Sequence, residues 1–287
     1  MKLYKLYVVL LGLGLCFITY QSAQAAIPYL LSQSKQDKSV LEKIQPHKAL
    51  YDIALVSSRS GSQIIDVKGQ MFYEWSASCE GWITNHRFNL QYTYADIGTV
   101  EIKSDYSTFE SFDGKGFDFS TRRLKDGEVI EEYRGHADSR TGMVNYSVPE
   151  GLSFKLPKNT IFPISHTLSM LGNLKANKRF YNAKVFDGSD DVGPYEINAF
   201  FGKASTLPVP EHKNIEKDLI SKTSYASRLA FFPMATQEQQ PEYEMSFALQ
   251  TNGIIPNMLV EYPDFQVKQS LSSLEALPWP SACEDNK

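Results

Sequence analysis

From residue 66 onward this chain alternates. Val67, Met71, Tyr73 and Trp75 fall on one side of a period-two pattern, and Asp66, Lys68, Gln70 and Glu74 on the other. Further on, Trp82, Thr84, His86, Phe88, Leu90, Tyr92 and Tyr94 share a side against Asn85, Arg87, Asn89, Gln91 and Thr93. Successive side chains of a strand point to opposite faces, so the pattern calls for long strands with an aromatic inner face and a wet outer one. Similar runs occupy 99–112, 116–123, 128–135 and 142–148, and later 179–186, 195–202, 219–232, 242–251 and 258–267. The early runs are joined by Asp113-Gly114-Lys115-Gly116, Lys125-Asp126-Gly127 and 138–142. Connectors this short join antiparallel neighbours, not parallel ones. About a dozen long antiparallel strands exceed what an open twisted sheet usually holds without curling. The expectation is a mainly β chain: one large, strongly curved antiparallel sheet forming a β-spiral or open barrel, with a few short helices.

Three places read as helix. Residues 34–44 predict a short amphipathic helix before Pro46, with Ser34 as its N-cap. Within 159–174, Leu168, Leu171 and Leu174 recur at helical spacing and Pro163 suits the first turn. That helix is expected to plug or flank the barrel. A last helix is predicted over 269–277, ahead of Pro-Trp-Pro and Cys283. Residues 207–212, with Pro208 and Pro210, are the most plausible internal seam. The same meander continues on both sides, so 26–287 is read as a single domain.

The first 25 residues read as an export signal. Lys2 and Lys5 form a basic start, 7–18 is an apolar stretch too short to span a membrane, and Ala23-Gln24-Ala25 is a small-x-small cleavage site. Leu15 stands before Cys16 where a lipid-modified precursor needs a small residue. The expected location is therefore the periplasm of a Gram-negative bacterium, as a soluble chain with no membrane insertion. Cleavage removes Cys16 and leaves Cys79 and Cys283, for which an oxidising compartment offers one intramolecular pairing. Cleavage also leaves 27 basic against 33 acidic residues, a net charge near −6, which disfavours nucleic acid and anionic surfaces.

Several stretches, in order, carry a family resemblance. They are PHKALYDIAL (46–55), GQMFYE (69–74) running into Cys79-Glu80-Gly81, Phe162-Pro163 with His166-Thr167, and FDGSDD (186–191). Asn252-Gly253-Ile254, EYPDF (261–265) and 274–283 complete the set. Together they resemble the EipB family of exported cell-envelope-integrity proteins of alphaproteobacteria, formerly a domain of unknown function. The resemblance spans nearly the whole mature chain; Lys48 departs from the arginine commoner there. It implies a single curved sheet wound into a spiral or open barrel, a disulfide between Cys79 and Cys283, and a non-enzymatic role in the envelope.

No catalytic motif stands against that. G-x-S-x-G, H-E-x-x-H and phosphate-binding glycine loops are absent from the sequence, and the five histidines lack ligand spacing, so no metal or cofactor is expected. Ser165 and His166 are adjacent on a helix and point apart. Asp187, Asp190 and Asp191 crowd a turn, but the spacing of a calcium loop is missing. His86 is read as a buried histidine with one hydrogen-bond partner. The candidate ligand-binding set is aromatic: Trp75, Trp82, Phe88, Tyr92, Tyr94 and Tyr106, some filling the core and others lining a groove in a partly closed sheet. Its expected occupant is a peptide, a periplasmic protein or an apolar envelope ligand. A lipid or lipoprotein carrier is the alternative, by analogy of fold, and an envelope hydrolase the third reading.

Overall fold

The computed structural model describes residues 38–206, 210, 212–221, 223–236, 239–281 and 283. A short helix, α1 (Lys38–Leu41), leads into eight strands in succession: β1 (His47–Ser58), β2 (Ile64–Ala77), β3 (Gly81–Tyr94), β4 (Gly98–Ser111), β5 (Gly116–Lys125), β6 (Glu128–Asp138), β7 (Met143–Val148) and β8 (Ser153–Lys155). After β9 (Thr160–Ile161) comes the main helix, α2 (Pro163–Lys175). The chain then returns through β10 (Phe180–Val185), β11 (Tyr195–Thr206), β12 (Thr223–Pro233), β13 (Tyr243–Leu249), β14 (Asn257–Glu261) and β15 (Phe265–Ala276).

All these strands belong to one 15-stranded sheet, ordered β8 to β1, then β15 back to β9. Every neighbouring pair is antiparallel except β9 and β10. The first and last strands therefore meet mid-sheet, in register from His47 opposite Ala276 to Ser58 opposite Phe265. From that seam the two halves of the chain meander outward in opposite directions.

The outer edges, β8 and β9, are not hydrogen-bonded to each other. The chain between them, 156–159, is so short that it holds them within about 18 Å. The sheet thus curls until its ends overlap. Phe186, just after β10, is fully buried against Phe117, Phe119 and Phe154 of the other half. Behind it the turn hangs its carbonyls on the inner face of β4, β5 and β7. Tyr106 donates its hydroxyl to the Asp187 carbonyl, Thr121 to Gly188 at 3.2 Å, and Tyr146 to Asp190 at 2.7 Å. The closure is a spiral fastened by side chains, not a barrel closed by a ladder.

Most runs read from alternation are strands here, with boundaries moved by a few residues, and three assignments need correction. The predicted helix over 269–277 is the second half of β15. Its apparent helical spacing, Leu271 to Leu274, comes from a bulge: Tyr51 faces Leu271 while Leu50 faces Ser273, so Ser272 is an extra residue. Both leucines are buried on the same face as a result. The predicted strand 258–267 is two strands, split by a tight turn at Tyr262-Pro263-Asp264 where the Tyr262 N–H donates to the Phe265 carbonyl. The strand expected from 219 starts at Thr223, because Lys217–Leu219 forms a 3-10 turn. The central helix begins with Pro163 as expected and buries Leu168, Leu171 and Leu174. Ser34 and most of the seam 207–212 lie outside the described residues, as does the export signal.

Besides the aromatic cluster of Phe117, Phe119, Phe162 and Phe186, two further apolar clusters fill the curl. One gathers α1 and α2 with Trp75, Trp82 and Phe112; the other joins Ile53, Val67, Val260 and Leu271. Cys79 and Cys283 are bonded, with Cα atoms 5.4 Å apart and a sequence separation of 204. The bridge pins the tail beyond β15 to the β2–β3 turn, where Trp279 packs edge-on to Trp82 at 5.5 Å.

Candidate functional site

Between the two clusters the curl encloses a cavity of about 350 Å³. Its walls come from both halves of the sheet, with α2 across one end. From the first half, β1 to β4 present His47, Tyr51, Met71, Tyr73, Trp75, His86, Phe88 and Tyr106, the inward side of the alternation noted at the start. The second half supplies Leu229 and Phe231 of β12, Tyr243, Met245 and Phe247 of β13, Met258 of β14 and, beside β1, Gln269 of β15. The helix contributes His166, Thr167 and Met170.

The six aromatics expected at a groove divide. Trp75, Phe88 and Tyr106 line the cavity. Trp82 is buried in the helix-end cluster between Phe112 and Trp279. Tyr92 and Tyr94 pack against the opposite cluster, Tyr92 meeting Phe265 edge-on at 6.3 Å. Sequence reasoning missed His47, Tyr51, Tyr73, His166 and Gln269. Strand parity placed Tyr73 on the inner face; the curl that brings β12 and β13 round to the same cavity has no local signal.

Several devices hold the walls. A turn after β13 carries Gly253, whose φ of +87° suits glycine, and a Cβ there would come within 2.6 Å of the Trp75 indole. The adjacent Ile255 carbonyl accepts the Tyr51 hydroxyl at 2.9 Å. The start of α2 is fixed by Glu110, a fully buried carboxylate that accepts the Ile164 and Ser165 N–H groups, each at 2.8 Å, and the Ser165 hydroxyl at 2.5 Å. Ser165 is thereby committed to Glu110 and not to His166. Burial pushes the Glu110 carboxyl up to about 7, although all three hydrogen bonds oppose the shift.

The interior disfavours charge. Burial holds His86 and His166 down to about 4, so both are neutral at ordinary pH, and it lowers His47 against the opposing bond to the Gln45 carbonyl. His86 is packed edge-on against Tyr73 at 4.8 Å and Tyr106 at 5.5 Å, and the surface it retains faces the cavity. Burial likewise raises Tyr51, Tyr73, Tyr106 and Tyr243. Among the described residues no lysine or arginine lines the cavity and Asp187 is the one carboxylate that does; burial raises it too. In the Asp-rich turn, Asp187 accepts the Ser189 N–H and Asp190 the Val192 N–H, ordinary self-bracing of a turn. Among the described residues no group of three His, Cys, Asp or Glu side chains is placed to hold a metal, and no helix is long and apolar enough to cross a membrane.

Three polar atoms around the cavity stay unpartnered although buried: Trp75 Nε1, His166 Nε2 and Gln269 Oε1. Their residues are 1, 5 and 8 % exposed, and each lines the cavity. Most buried polar groups in proteins find partners, so three around one space mark it as a place for polar atoms as well as apolar ones.

Comparison with known proteins agrees with this architecture. A family model described as EipB-like matches residues 38–278. The cell envelope integrity protein EipB of Brucella abortus is 30% identical over 237 residues, covering 81% of this chain and 84% of that protein. A crystal structure of a β-barrel-like protein of a domain of unknown function, also from Brucella abortus, superposes with a TM-score of 0.76 at 31% identity, covering 82% of this chain and 98% of the other.

Proposed function

The chain belongs to the EipB-like family, and from that premise we propose that it works in the cell envelope as a non-catalytic binding factor that supports envelope integrity. It holds a small apolar molecule inside the curled sheet. One observation carries the reading: a cavity of about 350 Å³ walled by Met71, Phe88, Met170, Met245, Phe247 and Met258 from both halves of the chain. That volume lies near the lower end of ligand sites, so it suits one small molecule or a single inserted side chain and not a folded partner. Four methionines make adaptable walls that fit related ligands without repacking the sheet.

The non-catalytic reading rests on where the reactive groups are spent. Glu110 and Ser165 bind each other at the start of α2, and the cavity histidines face aromatic rings, not a nucleophile. Location in the envelope follows from the role of the Brucella relative and from the export signal read in residues 1–25. Native mass spectrometry of the protein, purified without detergent from cells that export it, tests the reading. A chain carrying a small apolar adduct supports it. Steady turnover of a peptidoglycan or lipid substrate by the purified chain contradicts it.

A further inference from the structure

The cavity's unpartnered atoms say more about its occupant than its size does. We propose that it binds one uncharged amphiphile, an alkyl body bearing a hydroxyl that accepts from Trp75 Nε1 and donates to His166 Nε2. This rests on the reading of the cavity as an apolar ligand site and adds the chemistry of the head.

Both residues lie at the helix end of the cavity. Trp75 stands opposite Thr84, which stands opposite Thr108, and Glu110, two residues further along β4, binds the first turn of α2. His166 belongs to that same first turn. An indole N–H only donates and therefore needs an acceptor. A neutral imidazole nitrogen accepts when the proton sits on the other nitrogen, and burial keeps His166 neutral. One hydroxyl oxygen answers both demands at once.

Gln269 Oε1, an acceptor, marks the other end. Trp75 pairs with His47 and Gln269 with Ile53, backbone positions separated by roughly 20 Å along β1. Between them the wall is uncharged, with Tyr73 and His86 followed by Met71 and Phe88. An elongated molecule with its polar head at α2 matches that order, and Gln269 accepts from a second donor on longer or hydroxylated chains.

Charged heads fit poorly. An anion finds no lysine or arginine on the cavity wall, and an unpaired buried charge is costly. A quaternary ammonium meets aromatic faces and Asp187, but it brings no acceptor for the Trp75 N–H and leaves that donor unsatisfied.

Calorimetric titration of the full exported chain with dodecanol, dodecyl phosphate and dodecyltrimethylammonium, each below its aggregation threshold, decides the matter. Dodecanol is expected to bind one per chain, at least tenfold more tightly than either charged probe. Trp75→Phe should weaken dodecanol about tenfold and narrow its advantage over the charged probes. Equal binding of all three probes by the wild type overturns the hydroxyl head and leaves the apolar site standing. Tighter binding of the phosphate or the ammonium likewise overturns the head proposal alone, a result that needs no variant to fold. Binding of none of them overturns both.

Discussion

Gly188 sits so close to the Phe119 ring that a Cβ on it would lie 2.3 Å from the ring, and its φ of +68° is one that glycine adopts freely. That contact lies where the ends of the spiral overlap, beside the carbonyls gripped by Tyr106, Thr121 and Tyr146. Gly188→Ala therefore meets two penalties, a left-handed backbone of about 1–2 kcal/mol and overpacking of about 1–3 kcal/mol. Gly98→Ala has the first alone, since φ is +80° there with nothing within 4 Å. Urea unfolding should show Gly188→Ala losing clearly more stability than Gly98→Ala. Equal losses would mean that the overlap does not bear on the fold.

The Cys79–Cys283 bridge closes a loop of 204 residues. Chain entropy puts its stabilisation at about 5 kcal/mol, an upper figure because measured gains are often smaller. Cys283→Ser should lower the melting temperature of the oxidised protein, free the tail to proteases and shift the Trp279 fluorescence as that ring leaves Trp82. An unchanged melting temperature contradicts the anchoring role.

Two buried groups titrate in opposite senses. His166 has its folded pKa depressed to about 4 from 6.5, so the unfolded chain binds the extra proton as pH falls. Its contribution is present above 6.5 and is lost towards 4. Glu110 has its folded pKa raised to about 7 from 4.5, so its contribution is greatest at low pH and declines as pH rises from 4.5 to 7. Glu110→Gln should therefore make the stability gain between pH 5 and pH 7 larger than in the wild type, by about 2 kcal/mol. His166→Phe should make it smaller. Unfolding midpoints at the two pH values check both signs, and a Glu110→Gln gain no larger than the wild type's contradicts the buried acid.

The register of β15 can be tested directly. Deleting Ser272 removes the bulge and restores strict alternation, with Leu271, Ser273 and Leu274 still facing Tyr51, Leu50 and Ala49 and both leucines still inward. The deletion variant should therefore fold, as should Ser272→Ala, which removes only the 3.2 Å bond to the Leu50 carbonyl. A deletion variant that yields no soluble protein, beside a soluble Ser272→Ala, would contradict this register.

Much of this fold was legible in the sequence because its inner face is so regular. Trp82, Thr84 and His86 alternate inward as the period predicts, and Gly and Asp mark the turns. The failures have local causes. At β15 a single extra serine turned period two into an apparent helical spacing, and at 262–264 a tight turn hid inside an apolar run. β1 left no clean trace, because Leu50 and Ala54 interrupt the alternation of Ala49, Tyr51 and Ile53. The site was less legible than the fold. Trp75, Phe88 and Tyr106 were named from one wall, but Leu229, Phe231 and Met245 join them only because the sheet curls until its halves oppose each other. No short-range pattern encodes that long-range pairing.

The interior between β1–β4 and β12–β15 is the proposed binding site. Titration with the neutral fluorophore N-phenylnaphthylamine tests it most directly, comparing the wild type with Met258→Trp and Met245→Phe, which fill the cavity from the opposing wall. The wild type should saturate at one probe per chain. Both variants should lose that uptake while keeping the wild-type far-ultraviolet circular dichroism. Undiminished uptake by well-folded Met258→Trp and Met245→Phe chains would place the ligand elsewhere and contradict the claim.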